Sequence, residues 1–320
     1  MKPIFVFSLP RSGSTMLQHV LASHSGIATG PEPWILLPLL SSMRATGTYA
    51  DYGQRLLRTS LAQFHQALPR GTEDYLDAIR AFAMTLYGKA SRGDAQYFVD
   101  KSPPYSLVVE EVIRLFPDGK FIFLWRNPLA IVASTIRTRG GGKWRVFRTN
   151  AQLFDGLANL VAAWEKYGDR AWAVRYEDLV SGPEAEISRL TDYLDMPFDA
   201  GVLSRFGATR PNGMKHVDPS EYDTINEEPL GKWKRTLTNP LRKAWCRRYL
   251  QWIGEQRLAT MGYDLDELLH ELAACPTNAS YLISDAVRMI RGILHTMLEP
   301  HIIGAKISKP AAWHRHHMHT

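Results

Sequence analysis

A three-layer α/β/α domain on a mainly parallel central sheet, continued by a helical C-terminal part, is the fold that this sequence predicts. Three observations carry the prediction. Four short apolar or aromatic runs, at 4–9, 98–100, 121–125 and 171–175, have the length and composition of strands. Helix-spaced apolar residues follow, as in 16–22 with Leu17, Val20 and Leu21, and strands alternating with helices build parallel sheets covered on both faces. Helical patterning then dominates from Pro240 onward. The 320 residues hold no Gly/Ser/Pro-rich linker, internal repeat or low-complexity block. One principal domain, 1–270, is therefore expected, with 271–320 an amphipathic helical extension ending in a basic, His-rich tail.

The first run, Ile4-Phe-Val-Phe-Ser-Leu9, passes through Pro10-Arg11-Ser12-Gly13-Ser14-Thr15 directly into the first helix. A buried strand ending this way points the free N–H groups of the first helical turn into the loop, where the positive end of the helix dipole favours an anion. Gly13 permits close backbone approach, Ser12, Ser14 and Thr15 offer hydroxyls, and Arg11 adds a fixed charge. The loop is expected to cradle phosphate-like oxygens. It lacks the Gly-Lys followed by Ser or Thr that ATPases and GTPases use: the Gly-Lys pairs here precede Ala90, Phe121, Trp144 and Trp233. An arginine placed earlier in the loop suits an oxyanion bound without a metal.

The run Phe121-Ile-Phe-Leu-Trp125 leads into Arg126-Asn127-Pro128 and a helix carrying Ser134, eight residues past the arginine. Pro128 suits a first helical turn, and Ser134 lies two turns along, on the side Arg126 is expected to reach. Two anion sites on strand ends imply a ligand with two separated phosphate groups. Phe98-Val-Asp-Lys-Ser-Pro103 brings another cation, Lys101, to a strand end. After Ala171-Trp-Ala-Val-Arg175, the acidic pair of Tyr176-Glu-Asp-Leu179 is expected to cap the next helix and anchor basic neighbours.

Leu9-Pro-Arg-Ser-Gly-Ser-Thr-Met-Leu17 resembles the 5′-phosphosulfate loop of the PAPS-dependent sulfotransferases, in the form found in carbohydrate and tyrosyl-protein sulfotransferases and bacterial relatives. Arg126-x-Pro128 with Ser134 is similar to that family's 3′-phosphate site. Lys101-x-Pro103, Arg175-Tyr-Glu-Asp-Leu179 and Gly231-Lys-Trp233 look like further family segments, the last closing over the nucleotide. The matches run in family order from Ile4 to about Arg235.

The resemblance implies a P-loop-like sulfotransferase fold. It implies in-line, metal-independent transfer of a sulfuryl group from PAPS, leaving PAP, to a hydroxyl of a carbohydrate or glycolipid. Arg11, Ser12, Gly13, Ser14, Thr15, Arg126, Ser134, Lys232 and Trp233 would hold the cofactor, and Arg11 and Lys101 would be the cations at the reacting centre. Glu32, in Gly30-Pro-Glu-Pro-Trp34, would be the general base, its carboxyl raised by partial burial between prolines and a tryptophan. A solvated acid in a rigid turn is the plainer reading of Glu32, and His19, His24 and His216 are alternative bases. Trp233 reads equally as a packed aromatic. A P-loop nucleotide kinase, or a nucleotide-binding or membrane-surface protein without catalysis, are the alternative functions.

The formal charge of +6 suits an anionic cofactor, but the basic residues are spread along the chain, so nucleic acid is not an expected partner. Two cysteines, Cys246 and Cys275, are too few for a disulfide scaffold and suit a reducing compartment. The apolar run at 4–9 is too short for a leader, so a cytoplasmic enzyme is expected. At 281–303, Asp285, Arg288, Arg291, His295 and Glu299 argue against a membrane span. Read as a helix, this segment gathers Ile283, Val287, Ile290, Leu294, Met297 and Leu298 into one stripe that is expected to pack on the main domain. Peripheral contact with the inner membrane, or a homodimer, are its alternatives. The terminal histidines read as a frayed tail rather than a metal site. Segments 43–70 and 137–147 are expected to shape the acceptor site, and Arg137, Arg139, Lys143, Arg145 and Arg148 would suit an anionic acceptor or simply be solvated.

Overall fold

The computed structural model describes residues 1–44, 54–91, 94–199, 201–206, 225 and 227–298; His216 and the 299–320 tail lie outside them. Five strands form one fully parallel sheet: β1 (Lys2–Ser8), β2 (Ile27–Thr29), β3 (Tyr97–Asp100), β4 (Lys120–Trp125) and β5 (Ala171–Arg175). Four of these are the runs expected from the sequence. The fifth, β2, is three residues between Gly26 and Gly30, too short to carry a period of its own.

β1 shows why the sheet is buried on both sides. Ile4 and Val6 face one apolar core with Val99, Ile122 and Leu124, while Phe5 and Phe7 face another with Phe121 and Phe123. A strand without a polar face is what a helix-covered parallel sheet requires. The Phe5, Phe7 and Phe121 rings stack at centroid distances of 6.0–6.2 Å, each burial worth roughly 1.5–3 kcal/mol.

The strand order β2-β3-β1-β4-β5 puts the functional loops together. From β1 the chain goes out to β2 at the sheet edge, returns to lay β3 between β2 and β1, then crosses past β1 to lay down β4 on its other side. That reversal opens a crevice beyond the carboxyl ends of β1 and β4, the place where open parallel sheets bind ligands.

Helices dominate after Pro240, as expected: Pro240–Thr260, Leu265–Ala274 and Leu282–Leu298. The last of them corrects the expected packing. Ile283, Val287, Ile290 and Leu294 face outward, all more than half exposed, and the inward face carries Asp285, fully buried. The Asp285 carboxylate accepts from Arg242 Nε at 2.6 Å, Asn239 Nδ2 at 2.8 Å and the Trp144 backbone N–H at 2.9 Å. A buried acid with three donors outweighs the periodicity argument, because turning it outward would strand the buried Arg242. No helix among the described residues is long and apolar enough to cross a membrane, and Cys246 and Cys275 are free, buried thiols.

Candidate active site

The loop after β1 is shaped by two left-handed residues. Gly13 has φ 91°, and a Cβ there would lie 2.3 Å from Cδ2 of Tyr176. Arg11 has φ 71°, unusual for a residue with a side chain, and such backbone strain concentrates at functional sites. The helix Ser14–Ala22 that follows has no side-chain cap at Gly13 and no acid in its first turn. Its leading N–H groups and dipole are thus available to an anion.

Two arginines are locked around this loop. Arg11 donates from Nε to Ser134 Oγ at 3.2 Å, and Arg126 donates from Nη1 to the Arg11 carbonyl at 2.8 Å. The Arg126 guanidinium lies 4.0 Å from the centre of the Tyr176 ring. Burial pulls the Arg126 guanidinium below its usual range, opposed by Tyr176 and Glu177. Asn127 caps the helix Pro128–Gly140 by accepting from Leu129 N–H at 2.9 Å, which sets the rotation that brings Ser134 inward. Ser134 therefore meets Arg11, where the sequence suggested Arg126. Ser12 Oγ and Arg126 Nε are buried without a hydrogen-bond partner, a state in which buried donors are seldom left. Both fit a phosphate or sulfate oxygen.

Lys101 and Glu32 form the other side. Lys101, buried, pairs with Glu32 and reaches Thr15 Oγ1 at 3.3 Å. The Trp34 indole donates to Glu32 at 3.1 Å. Glu32 is partly covered rather than enclosed: Pro31 and Trp34 are exposed, and about a third of the Glu32 side chain is open. Trp34 takes φ 51°, a third left-handed residue at this site.

Asp100 holds this half in place. Its buried carboxylate accepts from Tyr87 OH at 2.6 Å, Tyr105 OH at 3.1 Å and Ser102 Oγ at 2.8 Å. In turn Ser102 Oγ accepts from Trp34 N–H at 3.4 Å and Tyr105 OH from Leu36 N–H at 3.2 Å, so one carboxylate ties β3 to the segment bearing Glu32. Gln18 adds a bond from the first helix to the Gly30 carbonyl at 2.9 Å. Burial pushes Asp100 up to about 6 against the hydrogen bonds that favour its charged form.

The acidic pair after β5 anchors a basic neighbour, as expected, but neither side chain caps the helix Tyr176–Ser181 or the helix Pro183–Tyr193. Glu177 accepts from Asn127 N–H at 3.0 Å and Tyr263 OH at 2.7 Å, while Asp178 takes both Arg175 donors at 2.7 Å. Lys232 pairs with Glu228 at 2.7 Å, and Trp233 is buried in the aromatic core, where the helix Lys232–Thr236 packs against Pro128–Gly140. His24 is engaged locally, its Nδ1 accepting from Gly26 N–H at 3.1 Å, and His19 is buried beside Phe206. Sequence reading missed Asp100 and Tyr176. Asp100 had a signal, an acid inside an apolar strand, whereas nothing local marks a tyrosine as the wedge against Gly13. Of the basic set at 137–148, Arg139 feels both Arg11 and Glu32: partial burial and Arg11 lower it and Glu32 opposes them.

The chain is 29% identical over 293 residues to the nodulation protein NoeE of Sinorhizobium fredii, covering 81% of this chain and 65% of NoeE. It is 25% identical over 272 residues to protein-tyrosine sulfotransferase 1 of Danio rerio, covering 82% of this chain and 72% of that one. It spans less than two thirds of NoeE, and only 30% of a relative from Aquifex aeolicus. Among solved structures, the sulfotransferase domain of the curacin biosynthetic pathway is 27% identical with TM-score 0.51, covering 73% of this chain and 90% of that domain. The sulfotransferase domain of the Synechococcus PCC 7002 olefin synthase, 23% identical with TM-score 0.54 over 82% of this chain and 95% of that one, shares the fold. The model of the sulfotransferase family matches residues 3–200, a span that includes the loop after β1, Arg11 and Arg126, Lys101 and Glu32, and the chain belongs to that family.

Proposed function

We propose that this protein transfers a sulfuryl group from PAPS to a hydroxyl of a carbohydrate or glycolipid, without a metal ion. One observation carries the reading: Arg11, Arg126 and Ser134 converge at the sheet's switch point, with Ser12 Oγ and Arg126 Nε buried and unpartnered. PAPS would supply an activated sulfuryl group with PAP as its leaving group. Ser12, Gly13, Ser14 and Thr15 would bind the 5′ end through hydroxyls and backbone N–H groups, and Arg126 with Ser134 the 3′-phosphate. Arg11 and Lys101 bring fixed positive charge to where negative charge develops. Glu32 is held by Lys101 and Trp34 at the mouth of the site, where its carboxylate can accept the proton of an acceptor hydroxyl. The ring of Trp34, 47% exposed beside Glu32, offers an apolar face to a sugar.

The test combines binding with transfer. Calorimetry with PAP in the presence of EDTA should show binding by the wild type, weakened roughly ten- to a hundredfold in Arg126→Ala. Arg11→Ala should keep its fold but lose transfer of radiolabelled sulfate from PAPS to fractionated cell-envelope extract, by on the order of a hundredfold or more. Glu32→Gln should lose turnover with little change in PAP affinity. Unchanged PAP affinity in Arg126→Ala, or full turnover in Arg11→Ala, would overturn the assignment.

A further inference from the structure

The helix Leu282–Leu298 is amphipathic in the reverse of the usual sense. Its polar anchor is inside and its apolar stripe is outside. Ile283 is 82% exposed, Val287 and Ile290 61%, Ile293 57% and Leu294 51%, at spacings of three and four that line one face. Soluble monomers rarely present so continuous an apolar surface.

The helix cannot relieve this by rolling. Asp285 is tied to Arg242, Asn239 and Trp144, and Arg242 also donates to the carbonyls of Thr236 at 2.8 Å and Gly142 at 2.7 Å. Two turns further on, Gly292 lies against Phe147, where a Cβ would sit 2.9 Å from the ring. The outward stripe is fixed by buried contacts at two points along the helix.

Its surroundings are basic. Asp285, the one acid between Leu282 and Leu298, is turned inward, while Arg288 and Arg291 belong to the same helix. The helix packs on the turn Val146–Thr149, which carries the exposed Arg148 and follows the exposed Lys143. An apolar stripe with cationic flanks matches the boundary between acyl chains and anionic headgroups.

We propose that this helix docks the protein on an anionic lipid bilayer, its stripe in the headgroup boundary and its arginines on the phosphates. A second copy is the poorer occupant on two counts. A two-fold contact would set Arg288 and Arg291 against their own counterparts with no exposed acid on the helix to pair them. The stripe from Ile283 to Leu294 is also only about 16 Å long at 1.5 Å per residue on a helix about 10 Å across, a face on the order of 160 Å², far short of the roughly 800 Å² per partner of a stable interface. The helix Pro128–Gly140, which carries Ser134, ends at the Gly141–Gly142 turn that Arg242 holds, so the docked surface is joined to the site through one rigid element.

The test needs no assumption about catalysis. The full-length protein is sedimented with vesicles of phosphatidylcholine alone and of phosphatidylcholine mixed with phosphatidylglycerol, at low and high salt. The wild type should sediment with the anionic vesicles and release with salt. Ile283→Glu and Ile290→Glu, on the stripe, should each reduce partitioning on the order of tenfold or more, whereas Leu56→Glu, exposed elsewhere, should not. Arg288→Glu/Arg291→Glu should lose the preference for anionic lipid. Thermal melts check that each variant folds. No sedimentation with either vesicle, or stripe variants that partition like the wild type, would overturn the proposal. So would light scattering showing a dimer that the stripe variants dissociate. Binding that appears only after truncation beyond Leu298 would instead assign the stripe to the chain's own tail.

Discussion

Gly13 illustrates how one residue can answer to two demands. The sequence shows a glycine in the turn between strand and helix, and the structure adds Tyr176, whose ring fills the space of a Cβ and also carries Arg126. Gly13→Ala must hold a left-handed φ and push Tyr176 aside. The expected loss is about 1–3 kcal/mol of stability, read from urea denaturation, together with weaker PAP binding as Arg126 shifts. Wild-type values for both would mean that the wedge does not hold the loop. Arg11, Ser12, Arg126 and Ser134 were legible individually, because each stands at a strand end or a helix turn with its own local signature. That Ser134 pairs with Arg11, 123 residues away, was not, since the partner depends on which strands lie side by side.

Among elements, strands buried on both faces announced themselves as unbroken apolar runs, and four of five were readable. The edge strand β2 was lost because three residues hold no pattern. The helix Leu282–Leu298 was legible as a helix but not in its orientation: periodicity gives a stripe, and only the buried Arg242 decides which side faces in. Asp285→Ala should destabilise the protein by about 3–5 kcal/mol by leaving Arg242 buried and uncompensated. Chemical denaturation measures this, and a change below 1 kcal/mol would show that the ion pair does not anchor the helix.

At the scale of the molecule, Asp100 should leave a mark on stability against pH. Asp77, Asp195 and Asp199, exposed beside Arg70, Lys120 and Arg205, are held below their ordinary values, so the stability they add is present above the usual carboxylate range and fades as pH falls. Asp100 has the opposite sign. Its folded value is raised from 3.8 to about 6, so the folded chain takes up that proton first, and its burden grows as pH climbs from about 4 to 6 and is then constant. Asp100→Asn keeps the shape without the buried charge. Its unfolding free energy relative to wild type, read from urea denaturation, should therefore rise between pH 4 and 6 and level off above, by up to about 3 kcal/mol. A difference independent of pH would show that Asp100 does not titrate there. The sequence by itself determined the parallel α/β class, the strand-to-helix loop after β1 and the arginine turn after β4, because each is written in contiguous residues whose periodicity and turn chemistry act locally. Only the tertiary structure decided that Arg11 and Arg126 share one cradle, that Asp100 braces Lys101 and Glu32 together, and that the last helix turns its apolar face outward. Those facts follow from strand order and from which charges are buried, and neither is encoded in any single stretch of chain.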